Sequence, residues 1–164
     1  MKIGVISDTH IPERAKIIPP EVINGLKDCN VILHAGDLVE LKVLDVLKEI
    51  TDKVIAVYGN MDYPEVRRKL PPKQIVELEG LRIGVFHGWG ASHKIIDVVR
   101  DAFKNEDPQV IVFGHSHQPL SKNIEGIHYF NPGSPTDKIF STFNSYGILE
   151  IEKKAIKKAN IIRI

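Results

Sequence analysis

Seven side chains of types that bind metal ions follow short apolar segments of the chain. They are Asp8, His10, Asp37, Asn60, His87, His115 and His117. The set contains two carboxylates, one amide and four imidazoles, and it contains no thiolate. Such a mixture suits divalent transition metals better than calcium, which prefers oxygen ligands alone. These residues therefore predict a transition-metal site.

The number and spacing of these residues indicate two ions rather than one. In Asp8-x-His10 and His115-x-His117 the paired side chains emerge on one side of an extended segment, so each pair can bind at one site. Seven ligands exceed what one tetrahedral zinc needs, whereas two ions about 3.5–4 Å apart would use all of them. The positive charge of two such ions would attract phosphate. Any one of these residues alone could equally cap a helix, form a turn or pack in the core.

The apolar segments before these residues predict buried strands. The runs are Lys2–Ser7, Val31–His34, Val54–Tyr58, Leu81–Phe86 and Val110–Phe113. They are continuously apolar, as strands covered on both faces are. Amphipathic segments at Pro20–Asp28, Leu41–Ile50 and Ser92–Lys104 predict the covering helices. Alternating strands and helices favour parallel pairing, which gathers the carboxyl ends of the strands, and thus the seven side chains, at one edge.

The second half of the chain adds antiparallel strands. Glu79-Gly80 separates Gln74–Leu78 from Leu81–Phe86 and predicts a hairpin. Further strands are predicted at Pro119–Asn123, His128–Phe130, Tyr146–Ile151 and Ile156–Ile162. The last hairpin carries four lysines, 153, 154, 157 and 158, which are typical of a solvated sheet edge; a partner-binding patch is the alternative. With no repeat or linker in view, we expect residues 1–164 to form a single domain.

Composition excludes several classes of protein. A hydrophobic fraction of 43% in 164 residues is enough for a core. The net charge of +1 argues against a surface that coats nucleic acid or an anionic membrane. There is no apolar run of about 18 residues, no secretory signal pattern, and only one cysteine, Cys29. We expect a soluble cytoplasmic protein, and a homo-oligomer is compatible with the sequence.

The motifs resemble the signatures of the calcineurin-like metallophosphoesterases, most of all their small bacterial and archaeal phosphodiesterase branch, and are also similar to the retromer scaffold subunit. The segments that carry the resemblance are Asp8-x-His10, Gly36-Asp37, Gly59-Asn60-Met61-Asp62, His87-Gly88, Gly114-His115-Ser116-His117 and Asn131-Pro132-Gly133-Ser134. The family implies an α/β fold of four layers, an αββα sandwich with two mixed sheets flanked by helices. It also implies two divalent transition-metal ions. Manganese is the expected metal, and nickel, iron, zinc and cobalt are alternatives.

The resemblance also implies roles for the ligands and a reaction. One ion would be held by Asp8, His10, Asp37 and His117, and the other by Asp37, Asn60, His87 and His115, so that Asp37 bridges them. The implied function is a phosphodiesterase that hydrolyses a small phosphodiester with a dinuclear-metal-activated hydroxide. An interaction scaffold that keeps the fold without strong catalysis is the alternative. A nuclease ranks last, because the net charge provides no basic groove.

One departure from the family bears on the substrate. Many members have histidine after the Gly-Asn pair as the acid that protonates the leaving oxygen, but this chain has Met61. A missing acid matters least for activated leaving groups, so we expect diesters with such groups to be hydrolysed faster than monoesters. Substrate specificity would lie in loops at Trp89–His93 and Pro64–Pro72, and His93 is a candidate substrate contact. His34, His128 and Cys29 are predicted to have packing roles.

Overall fold

Two five-stranded sheets form the centre of the protein in a computed structural model that describes all residues, 1–164. The first sheet contains β1 (Lys2–Ile6), β2 (Val31–His34), β3 (Val54–Ala56), β9 (Ser145–Glu152) and β10 (Ala155–Arg163). The second contains β4 (Lys73–Leu78), β5 (Leu81–Phe86), β6 (Val110–Val112), β7 (Leu120–Ile124) and β8 (Ile127–Asn131). Their strand orders are β10-β9-β1-β2-β3 and β4-β5-β6-β8-β7.

Both sheets mix parallel and antiparallel pairs. The strands β1, β2 and β3 are parallel, and β9 joins β1 in the antiparallel sense. In the second sheet β5, β6 and β8 are parallel, while β4 and β7 add antiparallel hairpins at the two edges. Glu79 and Gly80 both have positive φ, 50° and 76°, as the two-residue turn between β4 and β5 requires. The predicted mixed sheets are confirmed.

The strands alternate their side chains between two apolar layers, which explains their continuous hydrophobicity. Ile3 and Val5 of β1 face the second sheet, whereas Ile6 faces the helices α1 (Pro20–Leu26) and α2 (Lys42–Lys48). On the second sheet, Ile111 faces α4 (Ile95–Ala102). The order of layers is therefore helices, sheet, sheet and helix. This is the four-layer sandwich that the family resemblance implies.

The structure differs from the predicted secondary structure in two helical segments. The segment Pro64–Pro72, predicted as a loop, contains the helix α3 (Pro64–Lys69), in which Val66 alone is buried. Its proline at the first position and its acidic start and basic end suit a helix, but one apolar residue gives no amphipathic pattern. The helix predicted at Ser92–Lys104 begins as a 3-10 turn at Ser92–Lys94 and continues as α4.

The last hairpin lies at an edge of the first sheet. Lys157 and Lys158 are exposed on the edge strand β10, and Lys153 and Lys154 form its turn with positive φ. These positions agree with the interpretation of the lysines as a solvated edge. No helix of the structure combines the length and the apolar character needed to cross a membrane.

Candidate metal centre

The segments that follow β1, β2 and β6 have unusual backbone conformations. Five of the predicted ligands have left-handed backbone with φ between 43° and 66°, namely Asp8, His10, Asp37, His115 and His117. This region is strained for residues with a Cβ atom, and such strain concentrates at functional sites. Backbone hydrogen bonds hold two of these segments together: the Asp8 N–H donates to the Gly36 carbonyl and the His10 N–H to the Asp37 carbonyl, both at 3.0 Å.

Two glycines let the segments approach closely. A Cβ atom on Gly59 would lie 2.2 Å from Asp37 Oδ1, and one on Gly114 would lie 1.9 Å from Ser7 Oγ and 2.6 Å from Asp8 Oδ2. Each distance is far shorter than a van der Waals contact, so any side chain there would displace a carboxylate. The glycines of the Gly-Asn and Gly-His motifs are thus required by packing.

The first group of ligand atoms consists of Asp8 Oδ1, His10 Nε2 and His117 Nε2. The two imidazole nitrogens lie 3.2 Å apart, and Asp8 Oδ1 lies 3.2 Å from His117 Nε2 and 3.9 Å from His10 Nε2. Nitrogen and oxygen ligands bind a metal at about 2.0–2.2 Å, so they lie roughly 3–4 Å from one another. The three side chains are buried. Their spacing fits one ion.

The second group lies directly beside the first. Asp37 Oδ2 is 3.2 Å from His87 Nε2, and Asn60 Oδ1 is 3.1 Å from the same nitrogen. His115 Nδ1 lies 2.9 Å from Asn60 Oδ1. Asp37 Oδ2 is also 3.8 Å from His10 Nε2 in the first group. The fold therefore brings all seven predicted side chains into one continuous cluster.

Three of the imidazoles are anchored through the ring nitrogen that faces away from the cluster. The anchoring contacts are His87 Nδ1 to the Ala35 carbonyl at 2.8 Å, His115 Nε2 to the Gly90 carbonyl at 2.9 Å, and His117 Nδ1 to Asp137 Oδ2 at 2.5 Å. Because carbonyl and carboxylate oxygens only accept hydrogen bonds, we assign the ring proton to each of these outer nitrogens. The inner nitrogen of each ring then faces into the cluster, where its lone pair can bind a metal ion once the nitrogen carries no proton.

These inner nitrogens face carboxylate and amide oxygens. His87 Nε2 faces Asp37 Oδ2, and His115 Nδ1 faces Asn60 Oδ1, at 3.2 Å and 2.9 Å. Two acceptors at such a distance repel each other unless a proton or a cation lies between them. A divalent ion would satisfy several of these atoms at once, and the mixed nitrogen and oxygen donors suit a transition metal. The residues of the cluster thus fit the metal ions that the sequence predicts.

The electrostatics of the cluster also favour positive charge. Burial alone would raise the pKa of Asp8, but the charge on His87 and the hydrogen bond with His117 outweigh it and lower that pKa to about 2. Burial alone would lower the pKa of His87, but Asp8 and Asp37 raise it to about 9. Asp8 therefore remains ionised, and His87 holds a proton that a metal ion would displace on binding.

Two supporting carboxylates were missed by the sequence analysis. Asp137 Oδ2 accepts the His117 ring N–H and thereby orients that ligand. Asp62 accepts the backbone N–H groups of Asp37, Val39 and Gly59 at 3.0, 2.5 and 2.6 Å, and so joins the segments after β2 and β3. The Gly59-Asn60-Met61-Asp62 motif contained a signal for Asp62. No sequence signal distinguished Asp137 from an ordinary turn residue.

A cavity of about 520 Å³ opens over the cluster. Besides proposed ligands it is lined by Glu13, Arg14, Met61, Ser92, Ser116, Gln118 and Phe140. His93 is exposed on the 3-10 turn, but its neighbour Ser92 lines the cavity in its place. Trp89 is 64% exposed and also lies outside the lining. The structure therefore gives His93 no contact with the cavity, and its substrate role stays a prediction.

The two remaining histidines and the Asn131-Pro132-Gly133-Ser134 turn contact polar groups of the protein outside the ligand set. His34 is buried, and its two ring nitrogens contact Thr9 Oγ1 and the Gly36 N–H. His128 lies on β8 beside Ser121. Ser134 Oγ donates to the Asp8 carbonyl at 2.7 Å, so the Asn-Pro-Gly-Ser turn supports the segment after β1. These contacts agree with the packing roles predicted for both histidines.

Comparison with protein families gives a match over most of the chain. A model described as the calcineurin-like phosphoesterase superfamily domain matches residues 1–154. The chain belongs to this superfamily. A probable metallophosphoesterase of Methanocaldococcus jannaschii is 39% identical over 145 residues, which cover 83% of this chain and 69% of that protein. A phosphodiesterase of the same archaeon is 29% identical over 171 residues, which cover 96% and 98% of the two chains.

Solved structures of the superfamily share the fold. The crystal structure of Vps29 from Chaetomium thermophilum aligns with a TM-score of 0.83 and 25% identity, covering 99% of this chain and 95% of that one. The family recognised from the motifs and the four-layer architecture are both confirmed. As a metallophosphoesterase-family protein, the chain has a donor cluster suited to divalent metal ions.

Proposed function

We propose that residues 1–164 form a single metallophosphoesterase domain that hydrolyses small phosphodiesters at a dinuclear centre. Asp8, His10, Asp37 and His117 would hold one ion, and Asp37, Asn60, His87 and His115 the other, with Asp37 shared. We expect manganese, and nickel, iron, zinc and cobalt remain alternatives because nitrogen and oxygen ligands bind several first-row ions. The single thiol, Cys29, fits a reducing compartment such as the cytoplasm.

The observation that carries this proposal is the convergence of seven side chains that can bind metal ions, with neighbouring ligand atoms 2.9–3.9 Å apart. His87 Nε2 and His115 Nδ1 each face an oxygen within 3.2 Å, while the outer nitrogen of each ring contacts a carbonyl oxygen. The named metallophosphoesterase and phosphodiesterase relatives support the same class of reaction.

The residues of the chain would hold the metal ions and orient the imidazole ligands. When bound, two divalent ions lower the pKa of water, polarise the phosphoryl oxygens and offset charge in the transition state. Asp8 and Asp37 supply fixed negative charge, and the carbonyls of Ala35 and Gly90 fix two imidazole rings. Cys29 supplies no nucleophile, because it packs in the helical layer and burial raises the pKa of its thiol to about 11.

The lining of the cavity favours diesters with good leaving groups. Met61 lines it, and no histidine other than the proposed ligands does. Glu13 is the one carboxyl group there outside the ligand set, and its Oε1 accepts the hydroxyl of Tyr63. A leaving alkoxide therefore meets no well-placed proton donor, whereas an aryl oxide leaves without one.

The experiment is an elemental analysis followed by a substrate comparison. The protein is stripped of metal, reloaded with Mn²⁺ and assayed with bis(p-nitrophenyl) phosphate and p-nitrophenyl phosphate. We expect about two ions per chain and faster hydrolysis of the diester. Faster hydrolysis of the monoester would contradict the diester preference. Metal binding without hydrolysis of any diester would favour the interaction scaffold instead.

A further inference from the structure

A largely uncommitted guanidinium group lies beside the proposed metal centre. Arg14 lines the cavity, and its backbone N–H donates to the His10 carbonyl at 2.7 Å. The contact of its side chain is Nη1 to Asp137 Oδ1 at 3.5 Å, which is a long hydrogen bond. The other four of its five N–H donors have no acceptor in the protein. Arg14 can therefore bind an anion without breaking a strong interaction.

Arg67, in the same region, differs from Arg14 because its side chain is held by hydrogen bonds to backbone carbonyls. Its Nε donates to the Asp62 carbonyl at 2.9 Å, its Nη2 donates to the Asn60 carbonyl at 2.5 Å, and it does not line the cavity. Those bonds stabilise the segment after β3. Arg14 has no comparable bonds, and it is the only lysine or arginine among the cavity-lining residues.

An exposed aromatic ring stands next to Arg14. Phe140 is 59% exposed although its side chain is strongly apolar. Its centroid lies 5.6 Å from the Arg14 guanidinium carbon and 6.0 Å from the ring of His117, to which it is nearly perpendicular. The Phe140 N–H donates to Asp137 Oδ2 at 2.9 Å, which fixes the backbone that carries the ring. A flat apolar surface is thus held against the cavity and left uncovered.

Building on the proposed function, we propose that Arg14 and Phe140 form a subsite for a phosphate ester that carries a planar aromatic group, such as a nucleoside. The guanidinium binds a non-bridging phosphate oxygen, since its planar donor fork matches phosphate. The Phe140 ring stacks on the nucleobase or aryl ring. A cavity of about 520 Å³ is within the usual range for small-molecule sites.

The subsite is tested first by binding. Calorimetry on the Mn²⁺-loaded protein compares adenosine 5′-monophosphate with inorganic phosphate. We expect the nucleotide to bind about tenfold more tightly than phosphate, because one stacked base contributes roughly that factor. Phe140→Ala removes this advantage of the nucleotide over phosphate, whereas Phe140→Trp keeps it. Arg14→Ala weakens both ligands by about tenfold, the loss expected for a charge-assisted hydrogen bond. Ile139→Ala, an exposed neighbour outside the cavity lining, is the matched control.

A hydrolysis assay distinguishes failure of the subsite from failure of the proposed function. The 5′-(p-nitrophenyl phosphate) of thymidine and methyl p-nitrophenyl phosphate release the same leaving group, and only the first carries a base. Phe140→Ala is expected to raise KM about tenfold more for the thymidine ester than for the methyl ester. Equal effects on both esters, an equal loss in Ile139→Ala, or nucleotide binding no tighter than phosphate would each overturn the subsite. If the wild-type protein hydrolyses neither ester, the proposed function fails, and the binding comparison still decides the subsite.

Discussion

The floor and the rim of the cavity are built in opposite ways. By the floor we mean the buried part of the ligand cluster, Asp8, Asp37 and His87, of which Asp37 lines the cavity; these residues are 0%, 2% and 1% exposed. The rim is formed by Met61 and Phe140, which are 47% and 59% exposed, and by Arg14. Floor atoms are bonded to backbone groups and to one another, as in the 2.7 Å hydrogen bond from the Met61 N–H to Asp37 Oδ1. Rim side chains project into the cavity with few partners.

The floor and the rim control different properties of the site. Each floor side chain is fixed by the end of a buried strand and by several hydrogen bonds, so a single change there affects the whole centre. Each rim side chain can change without disturbing those bonds. The floor therefore determines whether the reaction proceeds, and the rim determines which ester is hydrolysed.

The strongest test replaces a floor carboxylate by its amide. Asp37→Asn keeps the shape of the side chain and the acceptor for the Met61 N–H, but it removes the negative charge that faces His87 and His10. We expect metal content to fall to about one ion per chain or less. Hydrolysis falls by about 10³-fold or more, because a metal ion supplies several kcal/mol of transition-state stabilisation. Elemental analysis and a diester assay measure both effects. Asp45→Asn on the exposed face of α2 is the control, and equal metal content in Asp37 and Asp45 variants would contradict the role of the floor.

A rim substitution is expected to change substrate preference without changing metal content. Met61→His places an imidazole where many family members have their acid, at a position that already lines the cavity. We expect turnover of the monoester p-nitrophenyl phosphate to rise by about 10²-fold, the lower end of the range for general acid catalysis. Met61→Gln, which has a similar length and no titratable group, should show no gain. An unchanged monoester rate in Met61→His would refute the missing-acid explanation.

Asp137 connects the floor to the rim, and its replacement tests that connection. One oxygen accepts the His117 ring N–H and the other lies near Arg14. Asp137→Asn is expected to weaken metal binding by about 10–100-fold, as other losses of a carboxylate behind a ligating histidine do. Competition with a chelating dye measures the affinity. The thermal midpoint of the metal-free variant is the control, since a purely structural residue would lower that midpoint and leave the metal affinity unchanged.

The residue types after the strands were sufficient to predict the seven clustered side chains, because parallel strands gather their carboxyl ends at one edge. The rim could not be predicted in this way. Arg14 and Phe140 are 126 positions apart in the chain, and their contact depends on the path of two irregular segments. Asp137 could not be predicted from the sequence either, because only the fold brings it next to His117. Helix α3 was missed because one buried residue, Val66, gives no periodic signal.

His34 is buried beside the floor. The dependence of protein stability on pH therefore tests this buried region. Its Nδ1 accepts the Gly36 N–H at 3.2 Å, so its proton lies on Nε2, which donates to Thr9 Oγ1 at 3.1 Å. Burial opposes a charge on this fully enclosed ring and lowers its pKa from 6.5 to about 3. Neutral His34 is therefore part of the folded structure, whereas the unfolded chain takes up a proton on the same ring at mildly acidic pH.

The direction in which stability changes with pH follows from proton uptake by the unfolded chain. Between about pH 3 and pH 6.5 the unfolded chain binds one more proton at His34 than the folded chain, so stability rises with pH in this window and is lost as pH falls below 6.5. At about pH 5 the loss from this residue is about 2 kcal/mol. Urea unfolding of the chelator-treated protein from about pH 4.5 to about pH 7 measures the slope, and His34→Gln should flatten it. The comparison uses the difference between the two slopes, because the two proteins share every other titratable group. Parallel slopes would mean that the ring under the floor accepts a proton without cost, and the floor would then be less rigid than its hydrogen bonds indicate.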